Sequence, residues 1–88
     1  MKELLKRLEE AEQRANEADQ AWEQDPENEE LEKAFDEAYK AQHEAINALI
    51  EEIYRQTNGD IDIRTARTMI RKYREALKAI IEKAAYKL

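Results

Sequence analysis

Residues 57–70 read TNGDIDIRTARTMI, and their reading decides the fold. An Asn-Gly pair with aspartates close by, followed by a helical pattern, has two meanings. It can be a cation-binding loop, or it can be the turn that folds one helix back on another. Aligning Gly59 with the sixth position of an EF-hand loop puts Asn58, Ile61 and Asp62 where that pattern accepts them. The ligand positions fail. Tyr54, Gln56 and Thr65 fall at the first, third and twelfth places, where a hard dication needs carboxylates and a bidentate Glu. The stretch is therefore a connector. Gly59 takes the left-handed position that ends a helix, Asp62 caps the next one with Asp60 as the alternative cap, and Ile61 stands where a hydrophobic staple onto Ala66 would form.

Working outward from this turn, the upstream helix is expected over residues 26–57. An alanine seam of Ala34, Ala38, Ala41, Ala45 and Ala48 runs along it at spacings of four and three. A bulkier stripe of Leu31, Phe35, Ile46, Leu49, Ile50 and Ile53 lies beside that seam. Asp25-Pro26 separates it from an earlier helix, 2–24, with Leu4, Leu8, Ala11, Ala15, Ala18 and Trp22 on one face. Asp25 is the expected cap and Pro26 the expected first-turn residue. Folded at this point, Ala11 lies level with Ala41 and Leu4 with Ala48. Downstream, a third helix is expected over 62–86, with a seam of Ile63, Ala66, Ile70, Tyr73, Leu77, Ile80 and Ala84, widened by Met69, Ile81 and Leu88. The expected fold is all-α, a single domain spanning 1–88, folded as an antiparallel up-down-up three-helix bundle.

Composition bounds the function. The 88 residues contain one Gly, one Pro and no Cys, and 41% are charged. Without Cys there is no disulfide, thiolate nucleophile or Cys-based metal site. With no Ser and a single His, serine and cysteine triads are excluded. His43 has Lys40 three residues before it, so the Glu-x-x-His motif of di-iron bundles is absent, and His43 reads as a surface residue. Adjacent acids such as Glu51 and Glu52 diverge by about 100° on a helix and do not form an acid–base pair. No phosphate loop is present. No enzyme, cofactor or metal is expected, and no small-molecule substrate. No apolar run is long enough for a membrane span or a signal-peptide core, so a soluble, intracellular chain is expected, cytoplasmic if natural or recombinant.

The charge of −6 is uneven. Residues 25–56 hold ten acids and three bases, whereas residues 57–88 hold eight bases and four acids. Arg64, Arg67, Arg71, Arg74 and Lys78 share one helical face, and Glu44, Glu51 and Glu52 are their expected partners on the neighbouring helix. A nucleic-acid stripe would look similar. No aromatic or amide set interleaves these bases, however, and the whole chain is acidic, so nucleic acid is not the expected partner. The second helix is about nine residues longer than the first, an overhang of roughly 13 Å. That overhang suggests a contact patch at the Gly59 end, comprising Ile53, Tyr54, Ile61, Ile63, Arg64, Arg67, Met69 and Tyr73, for a protein partner or for self-association.

Val and Ser are missing altogether, heptads run through all three helices, and DPENEELEKA (25–34) is a capped helix start. In these features the whole chain resembles de novo designed three-helix bundles. The resemblance implies a scaffold or binding module whose first property is its fold. Gln42 near the core, amides at Gln13, Asn16, Gln20 and Asn47, and Thr65 and Thr68 depart from that pattern. They suit the alternative, a natural phage-type or bacterial inhibitor or adaptor that occupies a larger protein, with the acidic second helix serving as a nucleic-acid mimic.

Overall fold

A computed structural model describes the backbone of residues 1–86 and the side chains through Lys83. Ala84 and Leu88, expected on the third seam, lie outside the described side chains. The chain is all-helical, and no strand occurs among the described residues. Among the described residues four helices follow one another: α1 (Lys2–Gln24), α2 (Glu29–Gln56), α3 (Ile63–Lys72) and α4 (Arg74–Tyr86).

The first turn differs from expectation by a few residues. Helix α2 starts at Glu29, and its cap is Asn28, whose side-chain oxygen accepts from the amides of Glu30 and Leu31. Asp25 ends α1. Its carbonyl accepts from the Asn28 amide at 3.1 Å, closing a four-residue turn with Pro26 in second place. Pro presets the backbone angle that this position requires. The acidic run of Glu29, Glu30 and Glu32 then occupies the first turn of α2, where it complements the helix dipole.

Helices α1 and α2 are antiparallel. Trp22 stacks on Phe35 beside the turn with ring centroids 5.7 Å apart, and further along Ala11 shares a groove with Ala41 and Ala45. The alanine seam is only partly interior. Ala45 is buried, but Ala34 and Ala41 are exposed along this open groove of about 650 Å³.

One core joins all four helices. It consists of Leu5, Leu8 and Ala11 from α1, Ala45, Leu49, Ile50 and Ile53 from α2, Ala66 and Ile70 from α3, and Leu77 and Ile81 from α4. Leu8, Leu49 and Leu77 have no exposed surface. Met1, Leu4, Ile46, Ile61 and Met69 pack at its edge. The expected third helix is broken at Tyr73 (φ −125°, ψ 47°), although no Pro or Gly is nearby. At the break a side chain takes the place of a backbone donor. Arg74 Nε donates to the Ile70 carbonyl at 3.0 Å, the oxygen that a continuous helix would give to the Arg74 amide. A side chain entering the ladder in this way is a known origin of helix kinks. Beyond the break Leu77 and Ile81 are buried, whereas Ile63 and Tyr73 are exposed.

The same arginine ties α4 to α1. Its two terminal nitrogens donate to the two Glu12 oxygens at 2.8 and 3.0 Å, and Glu12 raises the guanidinium pKa further above its ordinary value. Lys78 pairs with Glu9 at 3.6 Å. Parallel first and third helices would give pairs that ascend together. These two pairs run in opposite order along α1 and α4.

Candidate interaction surface

The Gly59 end is built by an interlocked turn. The Thr57 hydroxyl donates to the Ile53 carbonyl at 2.8 Å and accepts from the Ile61 amide at 3.2 Å. Asn58 and Gly59 both have positive φ, 52° and 83°. This conformation lets the Gly59 amide reach back to the Tyr54 carbonyl at 2.9 Å, the bond that closes a glycine-terminated helix. The Tyr54 ring covers the glycine, and a Cβ placed there would stand 3.4 Å from it. On the far side, the Asp62 carboxylate accepts from the Thr65 amide at 2.7 Å. That amide holds the Asp62 carboxyl below its ordinary range. The connector reading of this stretch therefore matches its geometry.

The eight residues expected to form one patch divide into two groups. Ile53 is 1% exposed and belongs to the core, and Ile61 and Met69 are half-buried against it. Their aliphatic chains are spent on cohesion. Tyr54, Ile63 and Tyr73 are about half exposed, at 48%, 52% and 58%, and Arg64 and Arg67 are exposed as well. At about 100° per residue, Ile63 and Tyr73 flank the buried Ala66–Ile70 stripe on opposite sides. The exposed group is thus a rim around the end of the core.

The arginine face also differs from expectation. Glu52 pairs with Arg55 on its own helix, and Glu44 lines the α1–α2 groove on another side of α2. The cross-helix acids are Glu12 and Glu9 from α1. Among the described residues, Arg64, Arg67 and Arg71 make no ion pair. A ladder of rings, Trp22, Phe35, Tyr39 and His43, runs along the other half of the hairpin. Tyr39 and His43 meet edge to face at 4.6 Å. The spacing Phe35, Tyr39, His43 is a same-face helical spacing and could have been noticed in the sequence. Trp22 Nε1 is buried with no acceptor among the described residues. No helix among the described residues is long and apolar enough to cross a membrane.

No family model, curated protein or solved structure matches this chain.

Proposed function

We propose that this chain is a non-enzymatic interaction module whose contact face is the rim at the Gly59 end. The observation that carries the reading is the exposure of Tyr54 and Ile63 beside a turn fixed by three separate capping bonds, with Tyr73 exposed at the other end of α3. Large apolar side chains held outward on a rigid frame lose little conformational freedom on binding. Arg64 and Arg67 stand beside them and are enriched residue types at interfaces. For topology, we read α1, α2 and α3 as up, down and up, with the break at Tyr73 turning α4 across α1. This retains the bundle order of the first three helices and accounts for the reversed ion pairs.

The absence of Val and Ser and the heptad composition support a designed scaffold as the origin of this module. The break at Tyr73 favours the second reading, a natural inhibitor or adaptor, because an idealised bundle would keep its third helix whole. Molar mass by light scattering over roughly a hundredfold range of concentration tests the face. A dimer that dissociates on dilution, and that Tyr54→Glu abolishes with helicity unchanged, supports the rim. If Tyr54→Glu and Ile63→Glu leave every association of the chain intact, the rim is not the contact face.

A further inference from the structure

A second concavity, about 240 Å³, lies between α2 and the α3–α4 break. Ile46 and Ile70 form apolar parts of its wall. The polar groups around them include donor-only guanidinium groups and three side chains that can also donate. Arg71 comes from α3, and Tyr39, Gln42 and His43 come from α2. The lining holds two guanidinium groups against one carboxylate, in a chain whose net charge is −6. That carboxylate, Glu12, already has both oxygens on Arg74. Arg71 is left without an ion pair among the described residues, and guanidinium has five donors and no acceptor. The site is also held in shape. His43 rests edge-on against Tyr39, Tyr39 stacks on Phe35, and Phe35 stacks on Trp22.

We propose that this concavity binds a small oxyanion of the phosphate class, either free phosphate or a phosphate monoester. Its volume is below the range of about 300–1,000 Å³ usual for larger ligands, so a compact headgroup fits. Arg71 would meet two oxygens with its planar fork. His43, the Gln42 amide and the Tyr39 hydroxyl would serve the others. The exposed edge of the half-exposed Tyr39 ring is available to the organic part of a monoester. This role differs from that of the Gly59 rim and does not depend on it.

The test is a two-dimensional amide NMR titration of the full chain with inorganic phosphate and with phenyl phosphate, at constant ionic strength and against a chloride control. Saturable shifts confined to Tyr39, Gln42, His43 and Arg71 are expected. Arg71→Ala should weaken binding about tenfold or more, and Arg71→Lys by less, because the lysine retains the charge but loses the fork. Arg64→Ala, which removes an equal charge elsewhere on α3, should leave binding unchanged. Tighter binding of phenyl phosphate than of phosphate assigns the site to monoesters, and equal binding assigns it to the free ion. Non-saturating shifts, shifts reproduced by chloride, or equal losses in Arg64→Ala and Arg71→Ala overturn the proposal. Circular dichroism of each variant ensures that the folded chain is being compared.

Discussion

Replacing Glu12 with Gln keeps the shape of the side chain and removes the charge that grips both terminal nitrogens of Arg74. The two side chains retain 31% and 24% of their exposure, so the pair lies between two regimes. Exposed pairs contribute about 0.2–1 kcal/mol, whereas stripping one partner from a buried pair costs about 3–5 kcal/mol. For a bidentate pair at this depth we expect a coupling of about 1.5 kcal/mol. In a domain of this size that corresponds to a loss of about 6–12 °C in Tm for Glu12→Gln. Arg74→Met should cost a similar amount, because the Ile70 carbonyl that loses the Nε donor can accept from the backbone amide of residue 74 instead. Urea unfolding of both single variants and the double variant gives the coupling directly. Salt at about 1 M should trim it by less than half, since the pair is partly shielded from solvent. A coupling below about 0.3 kcal/mol refutes the reasoning. The seat of α4 on α1 would then rest on Leu77 and Ile81 alone.

Three further outcomes are expected. Asp62→Ala should lower Tm at neutral pH, and Asp62→Asn should restore most of the loss. Because the Asp62 pKa is depressed in the folded chain, its stabilisation is complete above the ordinary aspartate value of about 4. It is lost as pH falls through the depressed value, so the Tm gap between wild type and Asp62→Ala should close in acid. Gly59→Ala should cost about 1 kcal/mol in urea unfolding, because a Cβ is disfavoured at φ 83° and would press on the Tyr54 ring. Leu77→Ala should cost about 2–5 kcal/mol, while Leu31→Ala, half-buried and outside the main core, should cost about 1 kcal/mol or less. Similar costs at the two sites would mean that the core extends to the first turn.

What the sequence revealed and what it hid follow from the range of the forces involved. The ends of α1, the left-handed closure at Gly59 and the Asp62 cap are set by neighbours a few residues away, so local pattern was enough to find them. At the first turn two local signals competed. Pro26 read as a helix start, but Asn28 satisfies two amides and delays the helix to Glu29. The break at Tyr73 has no local signature, because the heptad continues through it. At the break Arg74 meets Glu12 from another helix while its Nε occupies the Ile70 carbonyl, contacts that no local pattern announces. The arginine partners were misassigned for the same reason. Spacing places acids and bases on helical faces, and the relative turn of the helices decides which of them meet. Within the contact patch Tyr54, Ile63 and Tyr73 are exposed, although the heptad had put Ile63 and Tyr73 on the inward seam. Ile53 was lost to the core because its stripe faces inward more fully than the overhang suggested.

The Glu12–Arg74 bond joins residues 62 apart in the chain. The α1–α2 hairpin, by contrast, closes through one four-residue turn, and α3 returns onto α2 through a connector only slightly longer. Contacts near in sequence form before those that must first close a long loop. The hairpin and the α2–α3 corner are therefore expected to form early, and the docking of α4 last. Contacts absent from the rate-limiting ensemble act on the escape from the native state. Damage to α4 shortens the lifetime of the folded chain while leaving the speed of its formation almost untouched.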